Sequence, residues 1–241
     1  METQTKYQPR VEKIERVWVP DAKLWTPHNS GETAFASPAF GPNNYRDVGQ
    51  EIISKKLSVP TGDYTASLLH SAYCSDVTNE QEFKNVRDIM RSNWLWIFDK
   101  NLWTDKGVYV LQDLKATGRS QPLTINNLEK ALKNGKEING LRFSKERHVR
   151  FAPKGSYNLG DTTHEALTKD GFIIASCGAE GAEKLGEVSS QFKNKPSIFG
   201  LDIQEEQEPE LRVSAVGGGG GWLWFLGYWA GGGGSHAFGV F

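Results

Sequence analysis

Apolar residues recur at helical intervals in three stretches of the first half of the chain. Val48, Ile52 and Ile53 do so within 45–57, Tyr64, Leu68, Leu69 and Ala72 within 61–73, and Phe83, Val86, Ile89 and Met90 within 79–91. Each spacing predicts a helix with one buried face. Val11 to Val19 alternates in part and predicts a strand, which Pro20 and Asp21 then turn. Leu24 to Gly49 keeps neither period. It is rich in Pro, Gly, Asn and Ser, and Trp25, Phe35, Phe40 and Tyr45 interrupt it, so it predicts a long ordered loop held down by its rings.

From residue 93 the pattern turns β-rich. NWLWIF (93–98) and VYVLQD (108–113) flank a turn at Asp105–Gly107 and predict a hairpin. Leu123 to Leu132 predicts a helix, capped by Asn126 or Asn127 and ended by Gly135. Residues 141–144 and 149–152 predict a second hairpin, and 163–169 a short helix. FIIAS (172–176) predicts a buried strand, 180–188 a helix and 211–216 a strand. Short strands and helices in irregular order argue for an α+β fold, without the regular alternation of a parallel sheet.

Composition narrows the function classes. Residues 1–241, 38% hydrophobic and 11% aromatic, suffice for one packed domain. Lys plus Arg number 28 against 29 Asp plus Glu, which leaves no basic field for phosphates and argues against a nucleic-acid partner. No apolar run approaches the length of a membrane span. The polar start METQTKYQPR lacks a signal core, so synthesis in the cytoplasm is expected, with any surface display by another route. Cys74 and Cys177 form no disulfide framework and read as buried thiols.

Candidate chemistry is sparse. Gly178, Gly181 and Gly186 suggest a phosphate loop, but match neither common spacing, and the entry turn of a helix is the stronger reading. His70 and Cys74 stand four apart, a spacing that can present two metal ligands, yet no second pair follows. Asp161, His164, Glu165, Ser176 and Cys177 contain the residue types of a hydrolase without its flanking signatures. EEQEPE (205–210) reads as a solvated loop, with calcium binding the weaker alternative. No catalytic residue, metal or cofactor is assigned.

The tail is different. VGGGGGWLWFLGYWAGGGGSHAFGVF (216–241) sets two glycine runs around an aromatic block. At roughly 0.5–1 kcal/mol each relative to alanine, ordering nine glycines carries a penalty of about 4–9 kcal/mol, comparable to the stability of a domain. The order is strand, glycine loop, aromatic strand, glycine loop, closing apolar strand, and it predicts two permissive loops on one exposed face. The closing strand, 235–241, is expected to pair near 11–19.

This tail resembles the variable region of target proteins of archaeal diversity-generating retroelements. Residues 211–216, SHAFGVF (235–241), LWTPHNSGETAFASP (24–38) and VPTGDYTASLLHSAYC (59–74) are similar to the fixed parts of those proteins. The resemblance implies a non-enzymatic binding protein with a C-type lectin fold. Its C-terminal residues, 217–235, would be diversified by copying errors at template adenines. Asparagine codons altered at both adenines become glycine codons, and tryptophan is out of reach of such changes. The resemblance therefore implies variable, ligand-binding positions at Gly217, Gly218, Gly219, Gly220, Gly221, Leu223, Phe225, Leu226, Tyr228, Ala230, Gly231, Gly232, Gly233 and Gly234. It implies buried scaffold roles for Trp222, Trp224 and Trp229. The partner would be an unidentified protein or cell-surface ligand. Two alternatives share this architecture: an enzyme resembling the formylglycine-generating oxidases, which would need a close cysteine pair, and a calcium-dependent sugar lectin, whose usual ligand motifs are not matched here.

Overall fold

The computed structural model describes residues 7–14 and 21–241. Its strands are β1 (Arg10–Lys13), β2 (Ala22–His28), β3 (Gly31–Ser37), β4 (Phe40–Asn43), β5 (Trp94–Thr104), β6 (Gly107–Gln112) and β7 (Lys136–Ile138). They continue with β8 (Leu141–Phe143), β9 (Val149–Pro153), β10 (Gly160–Asp161), β11 (Ser197–Phe199), β12 (Glu210–Gly219), β13 (Trp222–Trp229) and β14 (Ser235–Ala237). The helices are α1 (Tyr45–Ser54), α2 (Gly62–Cys74), α3 (Gln81–Ser92), α4 (Ile125–Leu132), α5 (His164–Leu167) and α6 (Gly171–Ser189). The α+β class predicted from the pattern is the class observed.

β1, β2 and β3 form a small antiparallel sheet. The large sheet runs β10-β11-β13-β12-β5-β6-β9-β8-β7, with β14 joining β5 and β4. Its long central strands separate two apolar clusters, because side chains alternate between faces. Leu95, Ile97, Val216, Leu223 and Phe225 point to the cluster shared with α2, α3 and α6. Trp96, Phe98, Val213 and Ala215 point to the other, where Tyr45, Val48 and Ile52 of α1 cover them.

α1, α2 and α3 fall where the spacing predicts them, and so does the β8–β9 hairpin. The β5–β6 hairpin turns at the predicted Asp105–Gly107, but β5 runs on to Thr104, so 99–104 pair with β6 while 94–97 pair with β12. Four expectations are corrected. Residues 24–49 are mostly strand, since β2 and β3 pair in register from Ala22↔Ser37 to His28↔Gly31. Their turn needs only Asn29 at φ 51. The stretch 172–176 is helical and belongs to α6, because a segment buried on all sides loses the polar stripe that marks a helix. Gly178 (φ 73, ψ 169) breaks that helix and a second segment begins at Ala179, so Gly178 stands at a helix entry that follows a helix rather than a strand, while Gly181 and Gly186 lie inside the second segment. Thr124, one turn ahead of Asn126 and Asn127, precedes α4.

The predicted first strand is observed as β1, while 15–19 lie outside the described residues. The chain's closing segment does not pair with β1. β14 pairs with β4 and β5, and Val240 bridges Phe35 and Ser58, so the end of the chain sits between β3 and the segment that follows α1.

Candidate functional site

β12 and β13 form a hairpin, with Gly219 opposite Trp222. The two residues between them, Gly220 (φ 59) and Gly221 (φ 91), both take positive φ, as the tight hairpin turn that matches strand twist requires. The first glycine run is therefore mostly strand. Gly217 is flanked in register by Trp94 on β5 and Trp224 on β13. All three face the same side, and a Cβ on Gly217 would meet the Trp94 ring at 2.4 Å. Gly218 faces the opposite side, against the Phe192 ring at 2.5 Å. Both glycines are buried, and the expectation of a freely substitutable loop fails there because two aromatic rings occupy the space.

Along β13 the alternation is strict at first. Leu223 and Phe225 enter the core at 2% and 3% exposure, and Phe225 meets Phe172 edge-on at 5.6 Å. Gly227 follows them inward, and its carbonyl accepts from Trp103 Nε1 at 2.7 Å and Asn101 Nδ2 at 3.1 Å. Trp222, Trp224, Leu226 and Tyr228 take the other face. The register then slips, with Ala215 opposite Leu226 but Val213 opposite Trp229. Such a bulge brings consecutive side chains toward one side, and Trp229 packs against Trp94 (5.2 Å) and Trp96 (5.5 Å).

These facings invert the sequence-based roles. Trp222 is 38% exposed, and Trp224 and Trp229 are half-buried, so none of the three is a core ring. Leu223 and Phe225, expected among the displayed positions, are core. Leu226 is 3% exposed but still lines the outer surface. The reason is register: β13 presents its even-numbered residues outward until the bulge.

Beyond Trp96 that outer face is left open as a groove of about 590 Å³. Trp94, Trp224, Leu226, Tyr228, Trp229 and Ala230 line it, and Phe199, Leu201 and Arg212 complete its edges. Phe199 and Tyr228 face each other at 6.1 Å, and Arg212 pairs with Glu210. Nothing in the sequence pattern singles out Trp94, Phe199, Leu201 or Arg212. Trp94 is the first residue of an apolar run, and only the pairing of β5 with β12 carries it to the tail.

The two glycine runs lie at opposite ends of β13, roughly 25 Å apart for an eight-residue strand. Gly220 and Gly221 abut Asn194, whose main-chain N–H donates to the Gly221 carbonyl at 2.9 Å. The second run wraps Trp229: Trp229 Nε1 donates to the Gly232 carbonyl at 2.7 Å, and Tyr45 N to that of Gly231 at 3.0 Å. The expectation that both runs share one patch is replaced by a groove lying between them. Gly231 (φ 88) and Gly233 (φ 107) need glycine's freedom. Gly219, Gly232 and Gly234 have ordinary φ and nothing closer than 3.4 Å to an added Cβ.

The other candidate residues are engaged separately. His70 Nε2 meets Glu187 at 2.8 Å, and burial with Glu187 pushes the half-buried Cys74 thiol up to about 11. His164 Nδ1 meets Ser189 Oγ at 2.6 Å, and Asp161 accepts from the Ser197 hydroxyl. Cys177 is fully buried, which pushes its thiol well above the usual range, and both cysteines are free. Glu205, Glu206 and Glu208 are exposed, whereas Glu210 opens β12. Among the described residues, no three His, Cys, Asp or Glu side chains gather as a metal site requires, and no helix is long and apolar enough to cross a membrane.

A solved structure described as "Accommodation of massive sequence variation in Nanoarchaeota by the C-type lectin fold" superposes with a TM-score of 0.50 at 15% sequence identity, covering 84% of this chain and 96% of that one. The chain has the C-type lectin fold. No protein-family model matches the sequence, and no curated protein does either.

Proposed function

We propose that residues 1–241 form a single non-enzymatic binding domain, and that the groove between the two glycine turns is its ligand site. The observation that carries this reading is the groove itself. It is an open, aromatic-lined surface of about 590 Å³ on an otherwise covered sheet face, built largely from residues 224–230. Exposed apolar surface rimmed by polar residues marks a site of interaction, and Trp and Tyr anchors contribute most of the binding energy in such sites.

The finer proposal is that 217–235 is diversified by a retroelement. Two features support it: the glycine runs, and a neighbour of the same fold that is described as accommodating massive sequence variation. The facings of β13 redistribute the expected positions. Gly219, Tyr228, Ala230, Gly232 and Gly234 are the places where a new side chain reaches solvent without moving the core. Gly217 alters the groove through Trp94, and Leu226 forms its floor. Leu223, Phe225 and Gly218 serve the core.

A library randomised at 219, 228, 230, 232 and 234 tests the binding role. Most members are expected to fold, and selection is expected to yield binders to unrelated proteins that lose affinity on Trp94→Ala. Folded libraries without binders would sink it. The retroelement is tested separately, by whether the neighbouring DNA carries a near-copy of the tail-encoding segment with adenines in place of guanines.

A further inference from the structure

A second cavity, of about 440 Å³, shares no lining residue with the aromatic groove. Its wall includes Arg150 of β9, Gly178 and the first turn of the helical segment after it. Arg150 is 6% exposed. Its Nε donates to the Arg147 carbonyl at 2.9 Å, and its Nη1 to the carbonyls of Ala175 and Ser176 at 2.9 and 3.0 Å. Nη2 donates to no acceptor among the described residues, and no carboxylate there comes within the 4.0 Å of an ion pair. A buried guanidinium is normally paired, and this one has no counter-charge at ion-pair distance.

The nearby acids do not supply it. Asp99 is fully buried, which pushes its carboxyl well above the usual carboxylate range even though Arg150 pulls the other way. Asp63 lines the cavity and accepts from the Thr61 hydroxyl, but forms no ion pair with Arg150. Glu180 is engaged by Lys184 at 2.7 Å, and Lys184 also donates to the Pro27 carbonyl and Ser67 Oγ. Glu146 and Arg147 stand exposed at the rim and offset each other.

The main chain adds donors on the same wall. The break at Gly178 leaves an 11-residue helical segment, Ala179 to Ser189, and the opening N–H groups of a helix have no intrahelical acceptor. Such an end carries partial positive charge and accommodates anions. A Cβ at Gly178 would meet nothing within 4 Å, so the approach is open. Ile138, Leu141, Phe143 and Ile174 supply apolar wall, and the volume lies within the usual range for small-molecule sites.

The geometry points to a binding site for a small organic anion, its carboxylate or phosphate group seated between Arg150 and the N–H groups of Ala179 to Gly181, its apolar body against Ile138, Leu141, Phe143 and Ile174. The glycine pattern that fails as a phosphate-loop motif in sequence thus acquires an anion-binding role through the break it makes.

Amide NMR titrations of the full chain with benzoate, phenyl phosphate and benzyl alcohol test this. At least one anion is expected to shift the amides of 179–181 saturably, with the neutral alcohol at least tenfold weaker and the indole signals of Trp94 and Trp229 unmoved. Whichever of benzoate and phenyl phosphate binds tighter identifies the head group. Arg150→Lys is expected to weaken anion binding at least tenfold. Should that variant not fold, Ala179→Pro removes one N–H where a helix's first turn tolerates proline, and is expected to weaken it at least threefold. Equal affinity for the alcohol, no binding by either anion, or undiminished binding in the folded variants would each overturn the site, leaving the aromatic groove untouched.

Discussion

The indole of Trp94 lies across Gly217: a Cβ on that glycine would stand 2.4 Å from ring carbon Cε3 and 2.8 Å from Cζ3. The same ring packs at 5.6 Å from Trp224 and 5.2 Å from Trp229. One residue outside the tail therefore organises the groove, and the glycine beneath it lets the ring lie flat on the sheet.

Gly217→Val is expected to push that ring outward. Overpacking of this kind costs about 1–3 kcal/mol, and the tryptophan emission should move to longer wavelength as Trp94 gains water. In the background of Trp94→Ala the same substitution should cost far less. Urea denaturation of the four proteins in the cycle measures the coupling; a coupling of zero would mean that the ring and the glycine are independent.

Phe225→Ala should destabilise more than Trp224→Ala. Phe225 is a core ring at 3% exposure, and removing one costs about 3–5 kcal/mol. Trp224 is half-buried on the open face, where about 1–2 kcal/mol is expected, within the ordinary range for single substitutions. The opposite order, read from unfolding midpoints, would show that the facings of β13 are reversed.

The glycines should separate by conformation rather than by run. Serine at Gly219, Gly232 or Gly234 is expected to change stability by no more than about 0.5 kcal/mol, as at ordinary surface sites. Valine at Gly231 or Gly233 forces a branched side chain into the left-handed region, at about 1–2 kcal/mol each. Five single variants compared by thermal melting are enough to decide, and equal losses across them would contradict this assignment.

Glu129 provides a pH signature. The Arg142 guanidinium grips its carboxylate through two bonds of 2.9 and 2.6 Å, Tyr109 donates at 2.5 Å, and the carboxyl is held down at about 2 against an ordinary 4.5. A depressed acid stabilises the fold above its unfolded value, and that contribution is lost as pH falls through the folded one. The loss should therefore run from about 4.5 down to about 2. A carboxyl carbon titration should locate Glu129 near the lower value, and Arg142→Gln should return it toward the upper. A midpoint near 4.5 in the unsubstituted protein would remove the contribution.

Much of the scaffold was legible from pattern. Phe83 with Val86 and Met90 follows helical spacing because α3 buries one side only; α2 is buried more widely, but small and hydroxyl residues (Thr65, Ala66, Ser67, Ser71) fill its other buried positions, so Leu68, Leu69 and Ala72 still show the helical period. Phe172 to Ser176 misled because α6 is buried around much of its circumference, which leaves an apolar run that a strand would also show. Residues 24–37 misled by composition: a hairpin rich in Pro, Thr, Gly and Ser is stabilised by pairing between β2 and β3, and a local window does not contain both partners.

The sequence by itself determined that the tail is an aromatic strand between two glycine-bearing turns, ended by an apolar segment that rejoins the body. It also determined the α+β class, since both depend on local spacing and on residue types with strong backbone preferences. The tertiary structure alone decided which rings face water. In a strand, one residue of register exchanges the two faces, and a single bulge exchanges them again. Trp224 and Phe225 are neighbours of nearly equal hydrophobic character, and only the pairing of Gly217 with Trp94 and Trp224 sends the first to the groove and the second to the core.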